Sequence, residues 1–254
     1  MKKLLICIVA AFAAVSVIPG CAPSGSVTSG SESSEAANHA SEYDNASFAG
    51  EADALSDKNA AAGGNGGSEF DPQKAIRGVK AKTYDFKNAY SQVLAMVIGN
   101  NSDYDCELNV SVEFYDDDDE LVDTEEASVD VFSAGTENAL IFYSKSEFAV
   151  YKYKLKVKEK SEYYGSVNQN LSCEVSEHTD EAIISATNNG TTTASYVEAT
   201  ALFFKDDELV GAGSSYVVDD EFEIKPGRTE KCTISCFENF DSVQVYLNGR
   251  EIAY

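Results

Sequence analysis

A run of five acids, Asp116-Asp117-Asp118-Asp119-Glu120, is the first feature of this sequence that could do chemistry. Carboxylate oxygens are the ligands that calcium prefers, and several of them in one turn could surround an ion. An EF-hand loop that began at Asp116 would need glycine at its sixth position and glutamate at its twelfth, but Leu121 and Ala127 stand there. Two hypotheses remain: a looser cation turn that also uses Asp123 or Glu125, and a solvated hairpin turn without an ion, which is favoured.

Four lysines alternate with apolar residues in one predicted strand, which places all four charges on one face. They are Lys152, Lys154, Lys156 and Lys158. One hypothesis is a contact with an anionic polymer, such as a wall teichoic acid, or with a phospholipid surface. The favoured alternative is structural: lysines protect an edge strand against pairing with another chain, or neutralise acids on the neighbouring strand.

Of six cysteines, four lie in the part of the chain that is predicted to fold: Cys106, Cys173, Cys232 and Cys236. Two cysteines four residues apart in one strand are separated by about 13 Å. A disulfide requires alpha carbons within about 7 Å, so Cys232 and Cys236 are not expected to pair with each other. We expect Cys173 to pair with one of them in an oxidising compartment, and buried free thiols are the alternative.

Catalysis has few candidate residues. Only two histidines occur, His39 and His178, and the second follows Cys173 by five residues among acids. A nucleophile and its base must lie within hydrogen-bond reach, and nothing in this spacing requires that. The sequence contains no paired-histidine zinc motif, no nucleophile elbow and no phosphate-binding glycine loop. We therefore predict that the protein is not an enzyme and needs no cofactor or metal.

The first twenty residues have the pattern of an export signal. Lys2 and Lys3 precede an uncharged stretch from Leu4 to Ile18. This stretch is too short for a spanning helix, which needs about 20 apolar residues. A short apolar stretch behind a basic start is typical of a removable signal.

The end of this leader, Ile18-Pro19-Gly20-Cys21, resembles the bacterial lipobox, although Pro19 departs from the small or hydroxylated residue that is usual there. The resemblance implies that Cys21 is acylated and becomes the first residue of the mature chain. Two or more acyl chains hold a protein durably on a membrane, since each buried methylene contributes about 0.8 kcal/mol. We therefore predict an extracytoplasmic protein that is lipid-anchored to the cell membrane, or to an outer membrane if the organism has one. An ordinary secretory signal is the alternative.

Residues 21–70 are predicted to be an acylation site followed by a disordered tether. The tether is rich in Ser, Gly, Ala and acids and has almost no large apolar residue, so it cannot bury enough surface to offset its ordering entropy. A flexible chain of this length spans about 35–40 Å. The whole chain has a formal charge of −24, which argues against nucleic acid as a partner and favours a monomer.

The rest of the chain contains two copies of one pattern at a nearly constant offset, which indicates tandem domains at 71–160 and 168–254. We expect a short link, 160–167, to join them into an elongated rod. The pair Tyr163-Tyr164 in this link is expected to be exposed or packed between the domains. The matching residues are Asn100-Asn101 with Asn188-Asn189, Phe114 with Phe203, Asp119-Glu120-Leu121-Val122 with Asp207-Glu208-Leu209-Val210, Gly135 with Gly227, Glu137 with Glu230, Phe148 with Phe240, and Leu155 with Leu247.

Apolar residues alternate with polar ones in each copy, which is typical of half-buried strands. The pattern predicts strands near 78–84, 92–99, 106–115, 121–131, 136–143 and 150–159, and near 170–176, 182–188, 195–204, 209–218, 228–237 and 242–248. Gln73 to Val79 is the one stretch with a helical period. Short antiparallel strands at this spacing predict an all-β fold of two-sheet sandwiches.

Phe114-Tyr115-Asp116, an acidic turn, a Leu-Val pair and Ala134-Gly135-Thr136-Glu137 together resemble the FxLYD domain. The second copy keeps Phe203, Leu209-Val210 and Pro226-Gly227-Arg228-Thr229-Glu230, departs at Lys205, and like the first lacks the usual turn glycine. This family is an immunoglobulin-like β-sandwich module of bacterial and archaeal surface proteins, which are often lipoproteins. The resemblance implies two tandem immunoglobulin-like β-sandwich domains and carries over no functional residue.

These patterns predict a lipid-anchored, non-enzymatic surface protein that presents two β-sandwich modules for binding or spacing. Its partner is expected to be an envelope or surface protein, or a polymer. An accessory lipoprotein that senses an ion or a small ligand is the first alternative. An envelope-acting hydrolase is the least favoured.

Overall fold

The computed structural model describes residues 5–6, 70–88 and 90–252, and this part of the chain is all-β with one short α-helix, as predicted. Cys21, His39 and nearly all of the predicted leader and tether lie outside the described residues. The elements are β1 Leu5–Ile6, α1 Pro72–Gly78, β2 Val79–Lys87, β3 Gln92–Asn100, β4 Cys106–Tyr115, β5 Leu121–Phe132, β6 Glu137–Ser144, β7 Val150–Glu159, β8 Tyr164–Ser166, a 3-10 turn Asn168–Asn170, β9 Leu171–Glu177, β10 Glu181–Asn188, β11 Ala194–Lys205, β12 Glu208–Tyr216, β13 Glu223–Ile224, β14 Thr229–Ser235 and β15 Ser242–Ile252.

The twelve predicted strands are all present, with ends that shift by a few residues, as β2 to β7 and as β9 to β12, β14 and β15. The helical stretch is α1, which begins after Asp71, because the Asp71 carboxylate accepts hydrogen bonds from the backbone of Gln73 and Lys74. Pro72 occupies the first turn, where its missing N–H is not needed. Ala75 of this helix is fully buried in the first core.

Both halves of the described chain have the same strand order. The first half, 79–159, has sheets β2-β3-β6 and β5-β4-β7, and the second half, 171–252, has sheets β9-β10-β14 and β12-β11-β15. All these neighbours are antiparallel. Three short strands extend the second half: β1 pairs with β9, β13 with β11, and β8 with β15.

A hydrophobic core lies between the two sheets of each half. In the first half, Leu94 and Met96 of β3 pack with Val110 and Phe114 of β4. The core of the second half is built in the same way from β10, β11 and their neighbours. Each half therefore has the layered construction expected of a two-sheet sandwich.

Two aromatic pairs confirm part of the repeat. The rings of Phe114 and Phe148 are 4.6 Å apart, and those of Phe203 and Phe240 are 4.8 Å apart. One match is wrong by a residue. Glu137 lies opposite the residue before Asn100, whereas Thr229, not Glu230, lies opposite the residue before Asn188.

A third apolar cluster joins the two halves face to face. Val93 and Ala95, on the face of β3 that points away from the first core, pack with Leu202, Phe204 and Leu209 of β11 and β12. Strands β3 and β11 are therefore buried on both faces, and the four sheets form successive layers. The expected elongated rod is wrong, because each half has a second apolar sheet face that only the other half covers.

Polar contacts add to this junction at the end where Asn100 and Asn188 lie. Arg250 of β15 forms an ion pair with Asp130 of β5. The hydroxyls of Ser133 and Ser166 are 2.5 Å apart. Gln169 donates a hydrogen bond to the backbone oxygen of Ala134 at 2.9 Å. The packing between the halves is therefore apolar at its centre and hydrogen-bonded at one end.

Candidate binding surface

The acidic turn between β4 and β5 is closed by its own first residue. The Asp116 carboxylate accepts hydrogen bonds from the backbone N–H groups of Asp118 and Glu120, at 3.0 and 2.9 Å. Asp119 has a φ of 62°, in the left-handed region that the usual turn glycine adopts freely. These contacts are those of a hairpin turn.

The two acids that a looser cation site would recruit have other partners. The Asp123 carboxylate accepts the backbone N–H of Lys145 at 2.9 Å, and this bond lowers the pKa of Asp123 despite the opposing effect of burial. Glu125 lies 4.0 Å from the Lys145 ammonium. Nowhere in the described ranges do three or more His, Cys, Asp or Glu side chains converge on a possible metal position. The structure therefore does not assemble the predicted cation turn.

The four predicted lysines lie on the exposed outer face of β7, at the edge of the sheet β5-β4-β7. The outer two have partners on β4. Lys158 forms an ion pair with Glu107 at 3.0 Å, and the Lys152 ammonium lies 3.9 Å from the centre of the Tyr115 ring. Partial burial alone would raise the pKa of Glu107, but hydrogen bonds from Asn109 and Lys158 hold it below its ordinary value.

The inner two lysines have no such partners. Lys154 lies opposite Ser111 and Lys156 lies opposite Asn109, and neither lysine makes an ion pair or hydrogen bond with the part of the chain that the structure describes. Together with Lys158, and with Glu126 and Ser128 of β5, they line a shallow, open depression of about 500 Å³. On the lysine face predicted from the sequence, Lys158 is ion-paired and Lys152 covers an aromatic ring, and the two lysines between them have no such partner.

The predicted disulfide is not formed, and none of the four described cysteines is in a disulfide. Cys173 and Cys232 lie on β9 and β14, with β10 between them, opposite Ala186 and Ile184 of that strand. Two strand spacings are about 9.5 Å, which is more than a disulfide can span. Cys236 comes directly after Ser235, the last residue of β14. Sequence spacing alone could not exclude this pairing because the order of strands in the sheet decides it.

Burial makes these thiols weak acids. It raises the pKa of Cys106 to about 12, with a smaller contribution from the charge of Asp105. Burial also raises the pKa of Cys232 and of Cys236. Since the thiolate is the reactive form, all three are expected to be inert in the folded protein.

His178 occupies the exposed turn between β9 and β10, where its backbone N–H donates to the oxygen of Glu181 at 2.9 Å. Its ring lies 3.5 Å from the Ser176 hydroxyl, while the Cys173 side chain points into the core. The structure therefore does not bring His178 and Cys173 together as a nucleophile and base.

An aromatic cluster near the junction was not predicted. Tyr196 and Phe222 stack with ring centres 5.6 Å apart, and both have positive φ, 52° and 62°. The Arg250 guanidinium lies between the rings of Tyr164 and Tyr196, at 4.7 and 4.8 Å from their centres. Tyr164 thus packs at the junction, whereas Tyr163 is exposed. No sequence pattern signals this cluster, because a register shift in β11 between Ser195 and Glu198 places it.

No helix in the described ranges is long and apolar enough to cross a lipid bilayer.

Comparisons with known proteins add no assignment. No family model matches the chain, and no curated protein matches it. Among solved structures, it is similar to a crystal structure of red sea bream transglutaminase, with 12% sequence identity and a TM-score of 0.24. This similarity covers 68% of the present chain and 29% of the transglutaminase chain. The chain therefore spans less than a third of that protein, and so weak a likeness carries no argument about fold or activity.

Proposed function

We propose that this chain is a lipid-anchored extracytoplasmic protein that presents two immunoglobulin-like β-sandwich modules for binding at the cell envelope and catalyses no reaction. Support for the anchor comes from the leader that ends at Cys21. Support for two like modules comes from the strand order, which is the same in both halves. Support for the immunoglobulin-like type comes from the resemblance to the FxLYD domain. The acidic segment between Cys21 and Phe70 would separate the modules from the lipid.

The observation that carries the binding role is the way in which the halves are joined. The inner sheets of the two halves pack against each other through Val93, Leu202 and their neighbours, so these faces are not available to a partner. The outer face of the sheet β5-β4-β7 is polar and exposed, with charged side chains at alternate positions of β7. The sheet β9-β10-β14 also exposes its outer face, and the row of lysines on β7 makes the face of β5-β4-β7 the candidate surface for recognition.

The position of the tether fits this role. The described chain reaches the first half through α1, whose last residue, Gly78, accepts a hydrogen bond from the backbone of Asn101 at 2.9 Å. The tether therefore enters at the Asn100 end of the sheets. A flexible tether that spans about 35–40 Å would leave the outer face of β5-β4-β7 accessible.

Acylation of Cys21 is tested by fractionating cells that express the protein and two variants. In Cys21→Ser the acylation site is lost, and in the matched control Cys7→Ser only a residue of the removed leader changes. We expect the wild-type protein and Cys7→Ser in the membrane fraction, exposed to protease added to intact cells, and Cys21→Ser outside that fraction or with its leader retained. An unmodified wild-type chain in the cytosol, or membrane-bound Cys21→Ser with its leader removed, would contradict the proposal.

A further inference from the structure

We propose that Lys154 and Lys156, with Asn109, Ser111 and Ser128, bind a single phosphodiester-linked polyol chain that runs along β7. This inference names a partner class for the binding module of the proposed function. It rests on the outer face of one sheet and does not depend on the acylation of Cys21.

Only part of the outer face of β5-β4-β7 has lysines that are available to a ligand. Lys158 is paired with Glu107, and Lys152 covers the Tyr115 ring and lies opposite Glu113. Lys154 and Lys156 lie opposite neutral residues of β4, which are Ser111 and Asn109. A bound chain would therefore meet two available cations and, in the same two rows of the sheet, one carboxylate, that of Glu126 on β5.

The spacing of these groups suits a regularly charged chain. Lys154 and Lys156 are two residues apart on one strand face, so their positions repeat at about 6.8 Å. Successive phosphates of an extended phosphodiester chain lie at a comparable distance. The amide of Asn109 and the hydroxyls of Ser111 and Ser128, which line the same depression, can donate hydrogen bonds to phosphate oxygens or pair with polyol hydroxyls.

A lipid surface fits this site less well. The available lysines line a depression, and Glu107, Glu113 and Glu126 lie on the same face around them. A plane of anionic headgroups would meet all three carboxylates together with the lysines, whereas a single chain along β7 would meet only Glu126, which lies across β4 from Lys154. This difference favours a thin polymer over a bilayer.

A nucleic acid also fits less well. Single-stranded nucleic acid binds through basic grooves that contain aromatic side chains on which the bases stack. The depression is lined by Asn, Ser, Val, Ala, Glu and Lys side chains and by no aromatic one. The site therefore matches a charged chain without bases.

The proposal is tested with the full-length chain in uncharged detergent and a fluorescently end-labelled poly(glycerol phosphate). At about 50 mM NaCl we expect binding that weakens at about 200 mM NaCl. The double variant Lys154→Gln/Lys156→Gln is expected to lose about tenfold or more in affinity. The matched control, Lys80→Gln/Lys231→Gln, removes the same charge from exposed positions on two other sheets, in β2 and β14, and is expected to bind like the wild-type protein.

A second variant checks the depression without removing a lysine. Ser111→Glu places a carboxylate opposite Lys154 and is expected to weaken binding as much as the inner double variant does. Vesicles rich in phosphatidylglycerol and an oligo-dT strand serve as competitors. Equal losses in the Lys154/Lys156 variant and in the control variant, no binding of the polymer at low salt, or a preference for the vesicles or the oligonucleotide would overturn the proposal. Each of these results leaves the test of Cys21 unaffected.

Discussion

Asn188 makes three side-chain hydrogen bonds in the second half that match three of those that Asn100 makes in the first. Each side-chain amide donates to two backbone oxygens at 2.8–2.9 Å. Each side-chain oxygen accepts the backbone N–H two residues further on, at 3.1 Å for Asn100 and 2.9 Å for Asn188. Both side chains are 1% exposed. Each half therefore contains one buried asparagine that ties the end of its second strand to the loop that follows and to the last residue of another strand, Phe132 of β5 or Ile224 of β13.

Replacing Asn188 with alanine is expected to lower the free energy of unfolding by about 3 kcal/mol, because it leaves two buried backbone oxygens and one N–H without their partner. Urea unfolding followed by circular dichroism measures this change. The control Asn101→Ala alters the exposed neighbour of the other buried asparagine and is expected to change stability by less than about 0.5 kcal/mol. Equal stability of the two variants would show that the buried asparagine does not hold the fold.

Substitution of Gly227 is expected to lower stability because of its backbone conformation and not because of a steric clash. Its φ is 71°, and a β-carbon added there would meet no atom within 4 Å. Gly227→Ala should therefore lower the free energy of unfolding by about 1–2 kcal/mol through left-handed strain. Gly99→Ala is the matched control, since Gly99 lies in a strand without a positive φ and a β-carbon there would make only ordinary contacts at 3.8 Å or more. A neutral Gly227→Ala would contradict this account of the loop.

The packing between the halves depends in part on Arg250. Arg250→Met keeps the apolar stem but removes the guanidinium from the Tyr164 and Tyr196 rings and from Asp130, and we expect a loss of about 1–2 kcal/mol of stability. Lys225→Met removes an exposed ion pair with Glu221 within one loop and is expected to leave stability close to that of the wild-type protein. Thermal or urea unfolding compares the two variants. Equal losses would mean that the Arg250 contacts contribute no more than an ordinary surface pair.

The described cysteines are expected to be unreactive in the folded protein and fully reactive after unfolding. A pKa of about 12 leaves Cys106 about a thousandfold less thiolate at pH 8 than its ordinary pKa of 9.0 would. Iodoacetamide should therefore spare Cys106 until urea is added, as peptide mass spectrometry would show. In urea without reductant, Cys173, Cys232 and Cys236 should all be alkylated. Two unmodified cysteines among these would reveal a disulfide and contradict the strand order of the second half.

The strands were predictable because alternation of apolar and polar residues depends only on which face is buried. The packing of the two halves was harder to predict. The unbroken apolar run 93–98 in β3 is typical of a strand that is buried on both faces, and it could have signalled the junction. Which sheet covers that face depends on how the link turns, and no local pattern in residues 160–167 specifies this.

The sequence predicted which lysines share the candidate surface, but not which of them have partners. Alternation placed the four lysines on one face, but the division into paired and available lysines depends on the register of β4 against β7, which sets Glu107 opposite Lys158. The aromatic cluster depends on a register shift in β11, and such an irregularity produces no periodic pattern in the sequence from which it could be predicted. The disulfide prediction was wrong because strand order is a tertiary property.

The most direct test of the proposed function is the mass of the N-terminal peptide from protein purified out of cell membranes. We predict a peptide that begins at Cys21 and carries the added mass of a diacylglyceryl group. A peptide that begins at Cys21 without added lipid, or one that still contains Lys2 and Lys3, would contradict the lipid-anchored account.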